Sequence, residues 1–320
     1  MTKYDNNIIP ADEFFFIPQP DYADADNLTV QQPPVGTGAY EVACMPLYIA
    51  DTRPTATMRG AVRSVSSSVG RVLMNTETHE PIGTCGSQYV PIQNKVVRDA
   101  AWKALTSQVP AHLLEDIKQN EYVEDNGAFY RCDWNIPGYS GQIRQQDGSV
   151  ANLSLHVMIV NPHGYSSDKI MIAAKDDTCD NIILLGEVSE SGTRRTEGFD
   201  PAVRTERAIE DIKLFADRVN ELRDYSDISM SRLHFRRLLK KSRFSDTQID
   251  AMVDHFVADA QIRGNNLWNA ISTLTAWSTH NELCHVRNSD NVDNEMQSLT
   301  KRMYRVSKIM ASEAFSEVLS

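Results

Sequence analysis

Residues of ligand type meet in few places along this 320-residue chain. His280, Cys284 and His285 form one such cluster, and a helix would set His280 and Cys284 one turn apart, a spacing zinc can use. No CxxC pair stands elsewhere to complete a four-ligand set, so a helix end with incidental polar residues is the simpler reading. Asp176, Asp177 and Asp180 have the donor atoms for a divalent ion, but aspartates so placed also make turns between strands. Arg194 and Arg195 lie between Gly192 and Gly198, in a loop suited to phosphate or to plain solvent. From Arg232 to Arg243 there are six bases and no acid. The phosphate loop, the dinucleotide glycine motif, HExxH and GxSxG are all missing from the sequence. The expectation is therefore a protein without catalytic residues, metal or cofactor.

The elements that would carry these residues fall into three stretches. Residues 1–56 read as an N-terminal arm, punctuated by prolines and carrying eight acids and two bases. Its apolar patch Phe14–Ile17 suits docking on a body or on a neighbouring subunit. Residues 57–225 read as an α+β core. Val69–Met74 and Ile82–Ser87 make a hairpin, and Asn94 is placed to cap a helix from Lys95 to about Gln108. A shorter helix, His112 to Gln119, is expected after Pro110. Phe129–Trp134, Leu153–Val160, Lys169–Ala174 and Ile182–Leu185 then read as strands, with Asn161-Pro162 and Gly164 opening a turn. Alternation puts Phe129, Arg131 and Asp133 on one face and Tyr130, Cys132 and Trp134 on the other. Pro137 to Gly141 reads as a mobile loop.

Residues 226–320 read as a helical C-terminal region. A helix opened by Asp200-Pro201 leads into it. Helices follow from about Ser229 to Lys241, from the capping box Ser245-Asp246-Thr247-Gln248, after Gly264-Asn265-Asn266, and from about Val292 to Leu319. The last groups Lys301, Arg302, Arg305 and Lys308. The predicted fold class is α+β, an antiparallel β-meander in the order β-β-α-β-β-β-α followed by helices.

Net charge is −11, which argues against a non-specific polyanion binder because such a field repels phosphate. The charge is uneven, however. Residues 200–245 hold eleven bases and eight acids, whereas 246–297 hold two bases and eight acids. A basic island on an acidic molecule marks either an anion site or a helix face paired with acidic neighbours. Five scattered cysteines, odd in number, point to reduced and largely buried thiols. No apolar run is long enough for a membrane span and the N-terminus has no apolar leader, so a cytoplasmic location is expected.

Gly83, Tyr89-Val90-Pro91-Ile92-Gln93-Asn94 and the helix after them, then Cys179-Asp180-Asn181 and Trp268-Asn269-Ala270-Ile271-Ser272, resemble a family of uncharacterised phage and plasmid proteins across about residues 60–285. Ile182 stands where that family often has glycine. The order of elements is similar to that of phage single-strand annealing proteins of the RecT, Redβ and Erf types. That resemblance implies a homo-oligomer, ring or filament, that holds single-stranded DNA in a basic groove without nucleotide hydrolysis. It implies single-stranded DNA and further copies of the chain as partners, a phage exonuclease as an additional one, and the host cytoplasm as the location. The candidate nucleic-acid residues are Arg131, Arg144, Lys169, Lys175, Arg194, Arg195, Arg236, Arg237, Lys240 and Lys241. The alternative is a non-enzymatic interaction or assembly module of a phage.

Overall fold

The computed structural model describes residues 41–51, 63–86, 89–114, 116–124, 127–163, 169–185, 189–190, 210–280 and 295–319. It is an α+β fold with antiparallel sheets followed by helices, as the sequence predicts. Three strands, β1 (Val42–Asp51), β2 (Arg63–Asn75) and β3 (Pro81–Gly86), form a small sheet in that order. β1 lies at the end of the stretch expected as an arm. Helix α1 (Asn94–Gln108) follows, then a 3-10 turn at Ala111–Leu113. The larger sheet runs β4 (Lys118–Glu124), β5 (Phe129–Arg144), β6 (Val150–Pro162), β7 (Lys169–Asp176) and β8 (Ile182–Leu184), each antiparallel to the next. A short β9 (Ser189–Glu190) pairs with β7.

A 3-10 segment, Glu210–Leu214, opens the helical part. It continues as α2 (Phe215–Asp224), α3 (Arg232–Lys241), α4 (Asp246–Arg263), α5 (Leu267–Thr279), α6 (Glu295–Met310) and α7 (Glu313–Leu319). The capping box at Ser245 forms as read: its hydroxyl accepts from Gln248 N–H, and Gln248 Oε1 accepts from Ser245 N–H. Every residue of α5 from Leu267 to Ser278 is buried, so this helix is surrounded rather than amphipathic. Trp268 and Trp277, on opposite sides of it, are therefore both core residues.

The last helix, expected as one, is two, α6 and α7, and two further expected elements differ. The helix expected over His112–Gln119 is instead the end of the 3-10 turn Ala111–Leu113 and, from Lys118, strand β4, a polar edge strand whose alternation is carried by Gln119 and Glu121 rather than by apolar side chains. Gln119 Oε1 accepts from Trp134 Nε1 at 2.8 Å, and Glu121 pairs with Arg98 of α1 at 3.2 Å. Pro137–Gly141, expected as a loop, is part of β5 with a bulge between Ile136 and Ser140. There the 3-10 turn packs on Gly138 so closely that a Cβ would stand 3.0 Å from the Leu113 carbonyl oxygen.

The main sheet is buried on both faces. Tyr130, Cys132, Trp134, Leu153, Leu155 and Val157 point to one side, into a core shared with α1 to α5, α7 and the later part of α6. Phe129, Met158, Val160, Met171 and Ala173 point to the other, beneath Leu299 and Met303 of α6. Glu124 of β4 fastens that helix, its carboxylate accepting from Met296 N–H at 2.5 Å and Gln297 N–H at 2.9 Å.

Candidate functional site

The alternation predicted for Phe129–Trp134 holds, yet Arg131 is not a surface cation. It is 1% exposed, because α6 covers its face of the sheet. Its Nε donates to Asp133 Oδ1 at 2.6 Å and its Nη2 to Asp133 Oδ2 at 2.5 Å. Nη1 reaches Thr300 of α6 at 3.2 Å. A guanidinium so enclosed cannot meet a phosphate, and its assignment to a nucleic-acid site is corrected here. Burial would raise the Asp133 pKa, but Arg131 and then His156 outweigh it and bring the carboxyl down to about 2.

Three of the six bases in the island, Arg232 to Arg243, are paired with acids. Arg236 pairs with Asp250 at 2.7 Å, Arg232 approaches Asp254 at 4.0 Å and Lys241 pairs with Glu317. The acids Asp246, Asp250 and Asp254 recur every four residues on α4 and so line one stripe facing α3. Lys175, on β7, is bound to Asp180 at 2.7 Å. Arg144, Arg237 and Lys240 are exposed. Arg194 and Arg195 lie outside the described residues, as do the Phe14–Ile17 patch, Cys284 and His285.

Lys169 lies beside Tyr304 of α6. Its Nζ is 5.2 Å from the centroid of the Tyr304 ring, and Lys308 Nζ is 5.1 Å from the same ring. Tyr304 and Lys308 are one turn apart on α6. They line a cleft of about 380 Å³ between α6, α2 and the end of β8, with Tyr225, Arg218 and Leu185 on its other walls. Tyr225 lies edge-on to Phe315, with ring centroids 6.3 Å apart, and donates its hydroxyl to Glu221 Oε1 at 2.8 Å. Burial and that bond hold the phenol above its ordinary pKa. Glu221 also takes Arg218 at 2.9 Å, which compensates that arginine. Lys308 is the cleft's other basic lining residue. Lys308 was legible as one of the four bases grouped on the last helix; Tyr304 gave no signal, since one tyrosine among long side chains reads as core.

The motifs that carried the family resemblance are junctions. Gln93 pairs with the edge of β1 through both amide atoms, accepting from Val42 N–H at 2.8 Å and donating to Val42 O at 2.9 Å. Asn94 does not cap α1 as expected; it is fully buried, and its Oδ1 takes Asn161 Nδ2 at 2.7 Å, joining the helix to β6. Asn181 reaches Ser272 on α5, and His280 Nε2 lies 3.0 Å from Asn181 Oδ1 and 2.9 Å from Cys179 O. Asn269 donates to the carbonyls of Phe256 and Gly264. Buried amides that hold backbone groups fix a fold rather than perform chemistry.

Asp176, Asp177 and Asp180 make the β7–β8 turn. Asp176 Oδ1 accepts from Thr178 N–H, and Asp180 takes a positive φ of 57°. Beyond Asp133 the α6-facing side of the sheet becomes polar, with Asn135, Ser154 and His156 all buried. Ser154 Oγ lies 2.8 Å from both Asn135 Oδ1 and Asp177 Oδ1, and its single proton serves the carboxylate best. Among the described residues no three His, Cys, Asp or Glu side chains group as a metal site, and no helix is long and apolar enough to cross a membrane. No family model, curated protein or solved structure matches the chain.

Proposed function

We propose that the protein is a non-enzymatic single-stranded DNA-binding and annealing protein that acts as a homo-oligomer, of the phage recombination kind, working in the host cytoplasm beside a phage exonuclease. The observation that carries this reading is the Tyr304 ring, with Lys169 and Lys308 Nζ at 5.2 and 5.1 Å from its centroid, on the wall of a cleft that Lys308 and Tyr225 also line. Single-strand binders combine cations along the backbone with aromatic faces against which bases stack. A nucleotide entering the cleft would take the lysines with its phosphates and lay its base on a tyrosine. Each copy offers few such contacts, so useful affinity requires several copies along one strand. The test is annealing of two complementary labelled oligonucleotides with wild-type protein and Tyr304→Ala. The reading expects the wild type to speed annealing and the variant to fail. Wild-type protein that neither binds nor anneals at low salt removes it.

A second reading, an interaction or assembly module, draws on α3 and α4. Their cations and acids offset one another, while Leu233 and Val257 remain 57% and 46% exposed. Such a module would assemble identically with and without DNA in light scattering.

A further inference from the structure

Cys44 and Cys85 stand on β1 and β3, the two strands flanking β2, and point to the same face of the small sheet. Their sulfurs are 3.9 Å apart, and the Tyr89 carbonyl oxygen is 3.8 Å from Cys44 Sγ. Cys44 is buried and Cys85 half-buried, in a small cluster with Leu73 and Tyr89. We propose that this pair is a binding site for a thiophilic d10 metal ion, of which zinc and cadmium are the accessible members.

The first argument is shape. Two thiolates on one tetrahedral zinc, with Zn–S of about 2.3 Å, lie about 3.8 Å apart. An oxygen ligand at about 2.1 Å would lie about 3.6 Å from either sulfur. The 3.9 Å between the sulfurs and the 3.8 Å from Cys44 Sγ to the Tyr89 carbonyl oxygen are therefore close to two edges of such a tetrahedron.

The second argument is that the competing chemistry is blocked. Cys44 is in register with Leu73, and Cys85 with Arg71, on opposite sides of β2. Two strand spacings set their backbones roughly 9–10 Å apart. A disulfide needs Cα atoms within about 7 Å, so the pair cannot close on itself without displacing β2.

The third is charge. A divalent ion entering the pair displaces the two thiol protons to water, and the two thiolates then balance the ion.

The experiment is a titration of the reduced full-length chain with cadmium, read by the sulfur-to-cadmium ultraviolet band, with zinc competing. Alkylation of the wild-type protein is followed by mass spectrometry in parallel, so the result does not depend on a variant folding. The expected result is one ion per chain, selective protection of Cys44 and Cys85, and loss of the band in Cys44→Ser and Cys85→Ser but not in Cys284→Ser. No band in the wild type, or protection falling on other cysteines, overturns the proposal.

Discussion

Asp133→Asn is the perturbation that most sharply separates a core cation from a nucleic-acid contact. In the native chain Arg131 and Asp133 share two bonds of 2.6 and 2.5 Å and are 1% and 3% exposed. Removing one member of such a pair leaves a buried charge uncompensated, at a cost of about 3–5 kcal/mol. Replacing both, as in Arg131→Met with Asp133→Leu, removes the charges together and should restore most of that loss. Urea denaturation of Arg131→Met alone, Asp133→Leu alone and the double variant gives the coupling directly. The acid limb is a second readout. The folded Asp133 pKa is about 2, against an ordinary 3.8. A depressed carboxylate stabilises above its unfolded pKa, and that stability is lost as pH falls through the folded one. Roughly 2 kcal/mol should therefore disappear between about pH 4 and pH 2, and Asp133→Asn should lack this component. An Asp133→Asn variant within about 1 kcal/mol of wild type would refute the buried pair. So would an Arg131→Gln variant of native stability that has lost DNA binding.

Three other outcomes follow from packing and capping. Gly141→Ala places a Cβ 2.5 Å from Val219 Cγ1 and should cost about 1–3 kcal/mol, with Val219→Ala as a partial suppressor in thermal denaturation. Ser245→Ala removes the capping box of α4 and should cost about 1 kcal/mol in the same assay. Asn181→Ala should lower protection of the β7–β8 turn and of α5 together in hydrogen exchange, because Ser272 and His280 both meet that amide.

The fold was legible wherever one-residue alternation or helical spacing was carried by apolar side chains. Leu153–Val160 and the Ile249–Phe256 stripe are such cases. Legibility failed where polar groups perform the work of packing. β4 aligns Gln119 and Glu121 with α1, so its alternation is invisible to hydrophobicity. Asn94 has the residue type of a cap and spends its amide on β6. The site was less legible still. In the densest run of bases, Arg232 to Arg243, three are paired with Asp254, Asp250 and Glu317, which only tertiary packing brings alongside. Arg131 carries the right chemistry on a strand that α6 happens to cover. Lys169 and Lys308 are 139 positions apart by number (308 − 169) and share one ring, and no local pattern connects them.

The proposed DNA binding depends on which lysines would meet the phosphate backbone. The direct measurement is anisotropy of a labelled single-stranded oligonucleotide over a salt series, with Lys169→Ala/Lys308→Ala set against Arg237→Ala/Lys240→Ala. Each lost phosphate contact on a single strand lowers the slope of log K against log salt by about 0.7. The cleft pair should therefore flatten it by about 1.4 per bound protomer, while the helix pair leaves it near the wild-type value. An unchanged slope in the cleft variant, with a flattened slope in the helix variant, would contradict the account.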